Sequence, residues 1–167
     1  MFENLLNLVK ENAGDAIINN PAIPNERNDE AVSLASNSIV DGLKNALSGG
    51  NLGDLTHLFN NSDNVASSPV MQNIQGGFIQ NLMDKFGLDT GTAGNIANNL
   101  LPGVLQKLVH KTNDPNDSSF DIQGILGHLG GGSGLDIGSL VKQFTGGGGG
   151  GTHGGGGILD TVKGLFQ

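Results

Sequence analysis

The chain has 167 residues, 29 of them glycine, and contains no Cys, Trp or Tyr. That length suits one modest domain with tails, and the lack of cysteine removes disulfides, thiolate metal sites and cysteine nucleophiles. Eight bases against sixteen acids give a net charge of −8, the wrong sign for gathering phosphates with clustered Lys and Arg, so no nucleic-acid partner is expected.

Phe2, Leu5, Leu6 and Val9 fall on one helical stripe and predict an amphipathic helix over 2–13, with Ala16, Ile17 and Ile18 as a candidate extension. Pro21 and Pro24 force their predecessors into extended conformations and make this stretch a loop. Asn28 reads as an N-cap, followed by Asp29 and Glu30 where the helix dipole favours negative charge. Val32, Ala35, Ile39, Leu43 and Leu47 then recur at helical spacing until Gly49-Gly50, which predicts a helix over 28–48. A short helix over 51–60 is expected to bury Leu52, Leu55 and Phe59, before a loop at 60–64. Ser68-Pro69 has the pattern of an N-cap followed by proline at the first helical position. Val70, Ile74, Phe78, Leu82 and Phe86 follow every four residues, and Gly87 ends that helix. Gly76-Gly77 in its middle weakens it by about 1 kcal/mol per glycine, and close approach of another helix is the expected reason. Asp89 caps a helix carrying Ala93, Ile96, Ala97, Leu100 and Leu101. Pro102 is expected to kink or restart it, with Val104, Leu105, Leu108 and Val109 continuing to about Lys111. No stretch alternates as a strand does, so the chain reads as all-α.

The chain opens Met1-Phe2-Glu3-Asn4, with an acid where a secretory signal carries a base. No window approaches the ~18 apolar residues of a membrane span. A cytoplasmic protein with no integral membrane segment is expected. The acidity is concentrated in residues 1–67, which hold nine acids and three bases; such a face serves solubility or a basic partner. Glu3, Glu11 and Asp160 weaken any attraction of the terminal amphipathic helices to anionic lipid.

From Gly124 to Gly164, 18 of 41 residues are glycine, and an internal repeat lies inside this tail. Phe120-Asp121-Ile122-Gln123-Gly124-Ile125-Leu126-Gly127-His128-Leu129 aligns with Leu135-Asp136-Ile137-Gly138-Ser139-Leu140-Val141-Lys142-Gln143-Phe144 at an offset of 15 residues, and Leu159 to Phe166 is a looser third copy. Each reads as a short amphipathic helix with Asp near its start, separated from the next by glycine runs. Helices shorter than ~12–15 residues are marginal alone in water, so these must dock on something. Three surfaces are open to them: the chain's own core, a second copy, or another protein or membrane. The residues expected to carry self-association are Phe2, Leu5, Leu6 and Val9 at one end, then Ile137, Leu140, Val141 and Phe144, and finally Ile158, Leu159, Val162, Leu165 and Phe166.

Chemistry-bearing motifs are sparse. His57, His110, His128 and His153 show no ligand spacing. The Asx-rich run Asp114-Pro115-Asn116-Asp117-Ser118 lacks the glycine and closing Glu of a calcium loop and reads as a turn. The run 146–151 lacks the strand and the Lys-Ser/Thr of a phosphate loop. No GxSxG marks a serine nucleophile. No enzyme activity, cofactor or metal is expected. Residues 85–97 have helix-turn-helix spacing, but 89–101 contain no Lys or Arg to anchor phosphates; Asn95, Asn98 and Asn99 are the available donors.

The stretch Phe86-Gly87-Leu88-Asp89, Ala93 to Pro102 and Leu105-Gln106-Lys107-Leu108-Val109 resembles the YidB-like group of uncharacterised bacterial proteins. That group has a small helical domain with a Gly-Leu turn, an alanine-rich helix and a Leu-Pro step before the next helix. The resemblance covers 40–50 residues, lacks the group's Trp-containing stretch, and implies a bacterial, helical, non-catalytic protein.

The expected organisation is an N-terminal amphipathic helix and loop at 1–27, a helical domain at 28–118, and a glycine-rich tail of short helices at 119–167. The expected function is a non-catalytic structural protein that self-associates into a homo-oligomer, a filament where head-to-tail contacts do not close. The alternative is a cytoplasmic adaptor that binds another protein through its acidic helical domain.

Overall fold

A computed structural model describes residues 2–117, 119, 120, 124, 125, 127 and 129, without the side chains of Leu52, Ser62 and Asp63. Five α-helices order these residues: α1 (Phe2–Asn12), α2 (Asn28–Ser48), α3 (Leu52–Asn60), α4 (Pro69–Phe86) and α5 (Thr90–Asn113). There is no strand among the described residues, so the all-α class holds. Gly124, Ile125, Gly127 and Leu129 are helical as well. In the centre α4 packs between α2 and α5, and α1 lies against α2 and α5.

Where local signals set the helix ends, the expected boundaries stand. The Ser68 hydroxyl accepts the Met71 amide proton at 3.1 Å with Pro69 in the first turn. Gly87 closes α4 in the left-handed region at φ 66°, where a Cβ would be strained. The Asp89 carboxylate accepts from the Thr92 amide at 2.9 Å and from its hydroxyl at 2.7 Å. That hydroxyl bond, then the amide bond, holds Asp89 below the usual carboxylate range.

Four expectations change. The N-cap of α2 is Arg27, not Asn28, because Pro24 starts a short 3-10 turn (Asn25–Arg27) that runs directly into the helix. The stripe of α1 does not extend to Ile18: the chain turns at Ala13 into a single π-helical turn (Gly14–Ile18), which buries Ala16 and Ile17 and leaves Ile18 exposed. Of the two expectations for Pro102, a kink or a restart, the restart does not occur, since α5 is helical throughout. Leu100, Leu101, Val104 and Leu105 on either side are fully buried, and that packing offsets the ~3 kcal/mol of an interior proline. Finally, Gly76 and Gly77 face open space, and a Cβ at either meets nothing within 4 Å. The close helix approach is at Gly42 of α2, where a Cβ would run into Ile74 Cγ1 of α4 and lie 3.3 Å from the Ile74 Cα.

One apolar cluster runs through the whole described chain. It contains Val32, Ile39, Leu43 and Leu47 from α2, Ile74, Phe78 and Leu82 from α4, and Ile96, Leu100, Val104 and Leu108 from α5. Leu55 and Phe59 of α3 are buried as expected, while the Leu52 side chain lies outside the described set. Phe86 is half-buried rather than internal. The cluster also takes in Leu5, Leu8, Val9, Ile17 and Ile23 before residue 28, and Phe120, Ile125 and Leu129 after residue 118. The core therefore crosses both expected unit boundaries.

Candidate functional site

The tail meets the bundle at an apolar groove. Leu5 of α1, Val40 and Leu43 of α2, and Leu108 of α5 form its walls, and Phe120, Ile125 and Leu129 fill it. The three filling side chains are only 3%, 3% and 4% exposed. The space left over, about 10 Å³, is at the lower limit for one water molecule and lined only by carbon, so it stays dry. Burial of side chains of this size stabilises by about 1.5–3 kcal/mol each before ordering costs. Two polar ties hold the entry to this plug. The Asn4 side chain donates to the Ser119 carbonyl at 3.0 Å, and Lys111 pairs with Asp117 at 2.9 Å. Beside them a depression of about 130 Å³ opens between Asn4, Glu11, Lys111 and Ser119.

The Asx-rich run forms this entry. The Asp114 carboxylate accepts from the Asn116 amide, and the Asp117 carboxylate accepts from the Ser119 amide, both at 2.9 Å. The Lys111 ammonium and the Ser119 hydrogen bonds lower the Asp117 carboxyl to about 2. These carboxylates thus serve a turn and an ion pair, as the turn reading requires.

A second junction joins α2 to the end of α4. Arg27 grips Glu30 with two hydrogen bonds, at 2.8 and 3.0 Å, and donates a third to the Lys85 carbonyl at 3.0 Å. Its guanidinium lies 4.2 Å from the centre of the Phe86 ring. The Glu30 hydrogen bond raises Arg27 and lowers Glu30. A cation on the last carbonyls of α4 also complements its dipole.

A surface depression of about 290 Å³ lies where α3 meets α4 and is lined by Asp54, His57, Asn61, Asn64, Ser67 and Ser68 among others. Both serines are committed to backbone. Ser68 Oγ donates to the Val65 carbonyl while accepting from Met71, and Ser67 Oγ donates to the Asn64 carbonyl. A nucleophilic serine needs its proton on a base, so this is a capping junction. No group of three or more His, Asp or Glu among the described residues could hold a metal ion. At the α4–α5 corner Asn95, Asn98 and Asn99 are exposed, and Asn98 accepts from Gln75 at 2.6 Å.

The expected self-association residues divide into three groups. Leu5 and Val9 are 3% and 0% exposed in the chain's own core and cannot meet a partner in this fold; the amphipathic face of α1 is covered by α2 and α5. Leu6 is half-buried against that core, and Phe2 is exposed at 41%. Ile137, Leu140, Val141, Phe144, Ile158, Leu159, Val162, Leu165 and Phe166 lie outside the described residues. Sequence reasoning missed Phe120, Ile125 and Leu129 as docking residues, although the repeat that contains them was the signal. It also missed Arg27, the single base between Lys10 and Lys44, and Asn4, for which no sequence signal exists. No described helix is long and apolar enough to cross a membrane. No family model, curated protein or solved structure matches the chain.

Proposed function

We propose that this protein is a non-catalytic, cytoplasmic structural protein that self-associates through its glycine-linked tail. One observation carries the reading: the first tail repeat docks by its apolar face, through Phe120, Ile125 and Leu129. The groove holds one such face, yet the sequence contains two more short apolar stripes, at 135–144 and 158–166. A stripe left outside the groove lowers its free energy by packing against the same stripe of another copy. Contacts of that kind give a closed oligomer, or a filament where they do not close. Membership of the YidB-like group is part of the same proposal, resting on the Gly87–Asp89 turn and the helix after it.

Light scattering on the intact chain, and on a chain ending at residue 144, tests this. An oligomer that shrinks or dissociates on truncation is the expected result. A monomer for both chains at high concentration overturns the proposal, and a stoichiometric heterologous partner in a pull-down of that monomer favours the adaptor.

A further inference from the structure

We propose that residues 135–144 are a second plug for the groove between Leu5, Val40, Leu43 and Leu108, exchanging within one chain with the plug formed by Phe120, Ile125 and Leu129. This step concerns the chain's own groove and does not depend on self-association. The spacing carries it. Leu135, Leu140 and Phe144 repeat the intervals of Phe120, Ile125 and Leu129, with Asp and Ile following the first member in both copies. Among the described residues of the first copy, these three positions are buried and line the groove. The second set offers one Phe and two Leu in place of one Phe, one Ile and one Leu. A carbon-lined groove asks nothing more than volume and apolar character, and volume-conserving swaps of this kind are the best tolerated.

Reach and helix propensity leave the two plugs closely matched. Bringing Leu135 rather than Phe120 to the end of α5 closes a roughly threefold longer loop, which lowers its population about fivefold on the three-halves power of loop length. Against this, the first copy carries two glycines between its Asp and its last apolar residue, Gly124 and Gly127, where the second has Gly138 alone. One helical glycine fewer is worth a factor of about five in the other direction. The spacer Gly130-Gly131-Gly132-Ser133-Gly134 has the Gly/Ser composition of a linker. A plug tethered this way acts at millimolar effective concentration, so the same chain outcompetes a second copy at ordinary dilution.

The absence of native cysteine allows a direct test. Full-length chains carrying Val40→Cys with Ile125→Cys, Val40→Cys with Leu140→Cys, or Val40→Cys with Thr152→Cys are treated with a short bis-maleimide reagent and separated by mass. Circular dichroism confirms that each is folded. Both the Ile125 and Leu140 pairs should link within one chain, at rates within about tenfold of each other, with Thr152 slower than both. Changing Phe120, Ile125 and Leu129 to Ser should speed the Leu140 link. Linking of Leu140 no faster than Thr152 overturns the proposal, with or without those serines. Links of Leu140 that form between chains only also overturn it and assign the groove to a second copy. Failure of the Ile125 pair removes the groove itself as its basis.

Discussion

Three helical glycines separate the effects of local propensity and packing. Gly76 and Gly77 are exposed in the interior of α4, and a Cβ there touches nothing. Alanine at each should stabilise by about 0.5–1 kcal/mol, chiefly by restricting the unfolded chain. Together that is ~1–2 kcal/mol, a rise of roughly 4–8 °C in the thermal midpoint for a domain of this size. Gly42→Ala receives the same propensity gain but drives a methyl into Ile74 Cγ1, with the Ile74 backbone close behind. Overpacking of this kind costs about 1–3 kcal/mol, so the net change should be a loss. Removing the obstructing side chain gives the internal control. Ile74→Ala alone should cost about 2–5 kcal/mol, and Gly42→Ala should then be tolerated, so the double variant should fall short of the sum by at least ~1 kcal/mol. With no Trp or Tyr in the chain, urea and thermal unfolding are followed by far-ultraviolet circular dichroism. A loss of stability in Gly76→Ala or Gly77→Ala, or strict additivity of Gly42→Ala with Ile74→Ala, would refute the packing described for α2 and α4.

Ser68→Ala removes the acceptor for the Met71 amide at the start of α4 and should cost ~1 kcal/mol in urea unfolding; Ser68→Asp, which keeps an acceptor there, should restore most of it. The Asp117 carboxyl is held well below its ordinary value, so its pairing with Lys111 stabilises the fold fully above the unfolded carboxyl pKa, and that contribution disappears as pH falls from about 4 towards 2. An NMR titration should place Asp117 in that low range, and Asp117→Asn should flatten the acid limb of the urea midpoint; a titration near 4 contradicts the ion pair. Phe120→Ala would ordinarily cost ~3–5 kcal/mol for a buried Phe, but a second plug of nearly equal stability limits the loss to about 0.5 kcal/mol, since its longer loop is offset by its one glycine fewer. Urea unfolding of Phe120→Ala alone and with Leu140→Ser distinguishes the two cases, since the combined change should bring back the full loss.

The elements that the sequence announces are those whose cause is local. The 28–48 helix follows from the spacing of Val32, Ile39, Leu43 and Leu47. The ends of α4 and the start of α5 follow from Ser68-Pro69, Gly87 and Asp89, each acting on backbone groups within four residues of itself. What stays hidden depends on residues far away. Gly42 carries no sign of Ile74, and the glycine pair that invited a packing role has none. Pro102 predicts a kink or a restart, and the restart is ruled out only once the buried side chains on both sides are known. The docking groove is hidden for the same reason: its walls come from residues 5, 40, 43 and 108, so the repeat at 120–129 shows a plug without showing what it fills.

The same limit applies to α1, whose stripe reads from the sequence alone as a self-association face. An amphipathic stripe records that a face must be covered, not by whom, and here α2 and α5 cover it within the chain. In the proposed assembly, coverage of α1 shifts the burden onto the tail. Among the described residues, large apolar side chains stay exposed only at Phe2 and Ile18, far short of the ~800 Å² per partner that a stable interface buries. In the proposed assembly the stripes Ile137, Leu140, Val141, Phe144 and Ile158, Leu159, Val162, Leu165, Phe166 would supply the area. Since the glycines around them lose more freedom on ordering than other residues, assembly through the tail should be weak for one stripe and cooperative for two. Truncation at residue 144 should therefore steepen the concentration needed for assembly more than removal of Phe2 does.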